Sequence, residues 1–262
     1  MKNLLVNKLS LLLMICMFEA TSFLNAQAAR FFQLKVYTIE NEFQEQQMDG
    51  YLKDAYLPAM HRAGISHIGV FKPNTGEATA GKRIYVLIPL NSLEQFEKLP
   101  ELLSSDKQYQ ADGSKTINAP YDNPPYKRIE SILMKAFKDM PETGIPRHST
   151  PPAERVYELR SYLGATEKIF QNKVEMFNEG GEIRLFKELD FNPVFYGEVI
   201  SGATMPNLMY MTTFSNEASQ KEHWNAFGSH PSWNAMKDNP KYQNNVSAIE
   251  RFLLHPTDYS DL

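Results

Sequence analysis

The chain carries one pattern twice. Arg30-Phe31-Phe32-Gln33-Leu34-Lys35-Val36-Tyr37 lines up with Arg155-Val156-Tyr157-Glu158-Leu159-Arg160-Ser161-Tyr162 at an offset of 125 residues, and Tyr85 meets Tyr210 at the same offset. Near the end of each half, Ile129-Glu130-Ser131-Ile132-Leu133 echoes Ile249-Glu250-Arg251-Phe252-Leu253 at an offset of 120. A unit this long is no solenoid repeat. It reads as a duplicated domain, and two like domains in one chain pack about a pseudo-twofold axis.

Each copy spells out the order strand, helix, strand, strand, helix, strand. In the first, a strand over 32–39 precedes a helix headed by Asn41 with Gln44 as capping-box partner. Pro58 should kink that helix and Gly64 should end it. Strands are expected over 65–71 and 83–88. A helix then starts at Ser92 with Gln95 as its capping partner, carrying Leu93, Phe96 and Leu103 inward. A polar, poorly patterned stretch over 104–125 leads to a last strand over 126–136. The second copy reads as strand 155–163, helix 166–178, strands near 183–189 and 194–199, strand 208–214, a helix from Asn216, and strand 246–254. Four prolines mark 139–152 as a linker between domains at 29–138 and 153–262.

A βαββαβ unit gives an antiparallel sheet with both helices on one face, the ferredoxin-like arrangement, and leaves the other face bare. Two copies can cover each other. The expected fold is α+β: two tandem ferredoxin-like domains packed sheet to sheet as a pseudo-dimeric α/β barrel.

Residues 1–28 read as a cleaved secretory signal. Lys2 and Lys8 form the positive region, an apolar run follows over 9–18, and Ala26-Gln27-Ala28 fits the cleavage site. Export to the periplasm or medium is expected. The chain's one cysteine, Cys16, lies inside that segment, so the mature protein must hold together through its core without disulfides. The formal charge of −4 becomes more negative by one when Lys2, Lys8 and Glu19 are removed, and no basic block is present. This argues against nucleic acid as a partner. No run in the mature chain has transmembrane length, and homo-oligomer formation is compatible with the fold.

Several motifs lead nowhere. Gly76-Glu77-Ala78-Thr79-Ala80-Gly81-Lys82 imitates a phosphate-binding loop, but Arg83 stands where a Ser or Thr is needed and a strand follows, so it reads as a hairpin connection. Six scattered histidines without i, i+4 pairs give no metal site, and nothing in the chain calls for a cofactor. No nucleophile elbow or dinucleotide fingerprint is present. Trp224, Phe227 and Trp233 form an aromatic cluster that reads first as helix-on-sheet core and second as a ligand platform.

The strand starts carry the sharper signal. Period two puts Tyr157, Leu159 and Leu163 on one face of their strand and Glu158, Arg160 and Tyr162 on the other. The apolar set is expected to meet the helices and the polar set to face the partner sheet, with Phe32, Leu34 and Val36 opposed to Gln33, Lys35 and Tyr37 in the first copy. The candidate ligand-binding residues are therefore Glu158, Arg160, Tyr162, Tyr210, Glu250 and Tyr37. His67 joins them, alternating with Ile65 and Phe71. Arg160 should bond Glu250 or Glu158 and keep donors free for an anionic or carbonyl-bearing ligand. No catalytic residue is assigned.

Tyr157-Glu158-Leu159-Arg160-Ser161-Tyr162, Pro193-Val194-Phe195, Pro206-Asn207-Leu208-Met209-Tyr210-Met211, Trp224-x-x-Phe227, His230-Pro231-Ser232-Trp233 and Leu254-His255-Pro256 together resemble the NIPSNAP family. The resemblance covers about 153–260 densely and the first copy loosely. It implies the dimeric α/β barrel superfamily, whose members include small monooxygenases, haem-using enzymes and binding proteins, and it carries over no catalytic residue. Animal members are associated with mitochondria and with recruiting other proteins, whereas this chain carries an export signal. Two functions follow as expectations. One is a barrel that binds or transforms a small, partly apolar molecule in an inter-sheet cavity. The other is a filled barrel acting as an interaction module through its outer surface.

Overall fold

The computed structural model describes residues 31–262, so the signal segment lies outside the described residues. The first copy runs β1 (Phe31–Thr38), α1 (Glu42–Tyr51), a π-helical turn (Leu52–Tyr56), α2 (Leu57–Arg62), β2 (Gly69–Pro73), β3 (Arg83–Leu90), α3 (Leu93–Ser105), α4 (Lys107–Asp112), α5 (Ser114–Ile117) and β4 (Arg128–Ala136). The second runs β5 (Val156–Leu163), α6 (Glu167–Phe177), α7 (Glu182–Glu188), β6 (Pro193–Ser201), β7 (Asn207–Phe214), α8 (Glu217–Ser229), α9 (Pro231–Lys237) and β8 (Ala248–Pro256). Among the described residues no helix is long and apolar enough to cross a membrane.

The eight strands close into one antiparallel barrel in the order β1-β3-β2-β8-β5-β7-β6-β4. Each copy contributes four strands with its first strand central, the ferredoxin-like order. β2 pairs with β8 and β4 with β6, so the copies are joined through their edges as well as through their faces. Closure leaves no strand edge free.

Local chemistry sets the helix starts as the sequence implies. Asn41 accepts from the Gln44 backbone N–H, and Gln44 Oε1 accepts from the Glu40 N–H. Ser92 and Gln95 repeat the arrangement. Pro58 has no N–H to give and its ring crowds the carbonyl four residues back. The helix answers with a π turn just before it, where the Leu57 N–H reaches Leu52 O. Gly76 to Lys82 is indeed a connection between β2 and β3.

Four expectations about local elements need correction. Residues 65–68 are not strand. His67 sits exposed at φ +61, and the C-terminal segment bonds this stretch, with the Ile68 N–H donating to Asp261 Oδ2 and the Asp261 N–H to Ile68 O. The strand expected near 183–189 is instead α7: its buried residues, Glu182, Ile183, Leu185 and Phe186, recur at helical spacing rather than on one alternating face. Leu93 is exposed, and Leu99 carries the inward face of α3 with half-buried Phe96 and Leu103. The polar stretch after Ser105 contains α4 and α5.

The largest correction concerns the sheet faces. The barrel interior is filled by Phe32, Leu34, Val36, Phe71, Tyr85 and Leu87 from one copy, and by Tyr157, Leu159, Phe195, Met209, Met211 and Leu254 from the other. Glu158, Arg160 and Tyr162 face outward, beneath the helices. Two more apolar clusters lie there, one per copy, between sheet and helices. Period two shows which residues share a face and is silent on which face is inside. The register also shows that Tyr85 and Tyr210 are not equivalents. Tyr85 opposes Val36 and points inward, whereas Tyr210 opposes Arg160 and points outward, so the repeat slips by one residue on this strand.

Candidate functional site

Four of the candidate residues meet on the outer face of β5 and β7, under α8. Glu158 is fully buried. Its Oε1 accepts from Arg160 Nε at 2.6 Å, and its Oε2 accepts from Gln220 Nε2 at 2.7 Å and Trp224 Nε1 at 2.6 Å. A carboxylate so enclosed is tolerable only because charged and neutral donors satisfy both oxygens. Gln220 and Trp224 are one turn apart on α8, so the helix presents both to the same strand.

Arg160 lies flat on Trp224, its guanidinium carbon 3.6 Å from the ring centroid. Its Nη1 donates to the Tyr162 hydroxyl at 3.2 Å, and that hydroxyl bonds the Tyr210 hydroxyl at 2.8 Å. Burial alone would lower the guanidinium's pKa, but Tyr210, Tyr162 and Glu158 together outweigh it and hold the group above its ordinary value. The Tyr210 phenol is held well above its ordinary value, by burial first and by Tyr162 second. Arg160 is thus a fixed cation whose five donors include more than Glu158 and Tyr162 consume.

Beside it lies a second buried pair. Lys173 Nζ donates to Glu182 Oε2 at 2.7 Å, with the two side chains only 5% and 2% exposed. The ammonium also faces the rings of Phe177 at 4.8 Å, Tyr162 at 5.5 Å and Trp233 at 5.8 Å. Sequence reasoning missed this pair, although a lysine inside the apolar stripe of α6 was the visible sign of it.

Arg160, Tyr162, Lys173 and Glu182 form the polar floor of an open cleft of about 510 Å³, walled by Trp224, Phe227, Trp233 and Tyr242. The aromatic cluster divides between core and cleft. Phe227 is buried against the core, while Trp224 and Trp233 are half-buried and line the opening.

The other candidates lie elsewhere. Glu250 is exposed, opposes Ser161 rather than Arg160, and lines a 310 Å³ recess at one mouth of the barrel with Glu130, Arg83 and Tyr85. The Arg160 partner is therefore Glu158 and not Glu250. Tyr37 is buried beneath the helices of the first copy, at the position that Tyr162 holds in the second. His67 is exposed on its turn before β2 and faces no interior. Among the described residues no cluster of three metal-ligating side chains occurs.

Comparison with known proteins agrees with this architecture. The crystal structure of a candidate monooxygenase from Lactobacillus acidophilus NCFM superposes with TM-score 0.58 at 11% identity, covering 86% of this chain and 93% of its own. A second candidate monooxygenase, from Fusobacterium nucleatum subsp. nucleatum, gives 0.53 at 10% identity, covering 86% and 91%. At these identities the likeness is one of fold. A NIPSNAP family protein from Agrobacterium tumefaciens str. C58 aligns at 18% identity over 46% of this chain and 98% of its own, with TM-score 0.37. No curated protein matches the chain. The NIPSNAP family model matches residues 157–261, the stretch that contains β5 to β8 and the whole Arg160 cleft. The second copy is therefore a NIPSNAP-family domain within a closed eight-stranded α/β barrel.

Proposed function

We propose that this protein binds a small, partly apolar molecule bearing an anionic or carbonyl group, in the cleft between α8 and the outer face of β5. The filled barrel interior moves this reading away from the inter-sheet cavity. The observation that carries it is Arg160: a guanidinium locked by Glu158, stacked on Trp224, and facing an open aromatic cleft with donors to spare. A planar acid or carbonyl compound would place its polar end on that fork and its body against Trp224, Phe227 and Trp233. We further propose that it acts outside the cytoplasm, as the N-terminal segment suggests.

The chain's two tryptophans both line the cleft, so intrinsic fluorescence reads it directly. Titration with benzoate and related arylcarboxylates should give saturable quenching, weakened about tenfold or more in Arg160→Lys, which keeps the charge but not the fork. Quenching that is absent across the series, or identical in the variant, would refute the assignment. Native mass spectrometry of the protein from its own host would then name the natural molecule.

A further inference from the structure

Lys35 holds on β1 the place that Arg160 holds on β5, outward-facing beneath the helices. The duplication has lost its counter-ion. Gln33 stands where Glu158 stands, and its amide donates to Ser131 Oγ at 2.7 Å. Among the described residues Lys35 Nζ has no ion pair and no hydrogen bond, and it lies over the face of Tyr56, 4.9 Å from the ring centroid.

Three phenols lie against it, Tyr56 in the π turn, Tyr109 on α4 and Tyr126 just before β4, and Tyr37 and Tyr51 extend that cluster, while Val86 on β3 and Ser131 on β4 stand opposite it. Tyr51 and Tyr109 bond each other through their hydroxyls at 2.6 Å, and the buried Tyr56 hydroxyl has no partner. Burial lowers the Lys35 pKa, and the phenols of Tyr109 and Tyr126 oppose that only in part. An ammonium enclosed without an anion is held at a cost that loss of its proton removes. The neutral amine is a nucleophile, and Lys35 is half-buried rather than sealed in the core.

We propose that Lys35 is a reactive amine that condenses with small aldehydes or ketones. Its nitrogen adds to the carbonyl carbon, and the carbonyl oxygen then leaves as water with the two nitrogen protons, giving an imine. The step needs no oxidant or reductant. Arg160 cannot do the same, because its guanidinium stays protonated. The two copies would then hold carbonyl or acid groups by different means, one by hydrogen bonds and one by a reversible covalent bond.

The test is site-resolved labelling of the native protein near neutral pH with limiting benzaldehyde and cyanoborohydride, which traps the imine as a secondary amine. Peptide mass spectrometry should find Lys35 labelled about tenfold faster than the other lysines, a preference that vanishes in urea. In Gln33→Glu, which restores the carboxylate of the second copy, Lys35 should fall to the rate of the rest. Labelling no faster than other lysines in the native protein overturns the proposal. So does a preference that survives urea, or one that Gln33→Glu leaves unchanged.

Discussion

Glu158 is the residue on which the outer layer of the second copy turns. It is fully buried and holds Arg160, Gln220 and Trp224 at once, tying β5 to α8. Arg160→Met keeps a similar volume but leaves a buried carboxylate with neutral donors only. Such a break costs roughly 3–5 kcal/mol. The expected outcome is a large loss in chemical denaturation, recovered in good part when Glu158→Gln is added, so that the double-mutant cycle shows strong coupling. Near-additive losses would mean that the pair is incidental. Because stability and binding would fall together, Arg160→Met alone cannot separate them, which is why Arg160→Lys serves the binding experiment.

At the scale of elements, the strand starts, the caps and the repeat were legible because each rests on local chemistry, as Asn41 with Gln44 and Ser92 with Gln95 show. What was not legible needed the third dimension. Tyr157 and Leu159 look like helix-facing residues until the barrel shows that its lumen, too, must be filled with large apolar groups. Ile183, Leu185 and Leu189 read as a strand because a short apolar run satisfies two periods at once. Glu158 was named from its own strand, but Gln220, Lys173 and Glu182 were not, since nothing in the sequence says which helix covers it. The helix-to-sheet layers are also where the buried phenols lie. Tyr37, Tyr56, Tyr196 and Tyr210 all have raised pKa values, with burial the leading cause. The unfolded chain ionises its tyrosines near the ordinary phenol value of 10.0 while the folded one does not. Their contribution is therefore complete below that pH and lost above it. Stability should drop as pH rises past 10, and most phenolate absorbance should appear together with loss of near-UV circular dichroism. Full phenol ionisation in a still-folded protein would contradict this burial.

For the whole molecule, the edge pairs β2–β8 and β4–β6 mean that neither copy is complete alone. Residues 153–262 by themselves would expose β8 and β6 as free edges, and would bare Tyr157, Leu159, Phe195 and Met209 on the lumen face. Such a fragment should aggregate or form a homodimer in which β8 of one copy pairs with β6 of the other. Light scattering with near-UV circular dichroism checks this, and a stable native-like monomer would count against the closed barrel.

The closure of that barrel within one chain has a genetic consequence. In a barrel made from two identical subunits, every substitution is made twice, so a change that suits one position is imposed on its twin. Here the twins are encoded separately. Gln33 can replace a carboxylate that Glu158 retains, and a Val86 can stand opposite Lys35 where a Tyr210 stands opposite Arg160. Selection can therefore hold one pocket constant while the other drifts towards new chemistry.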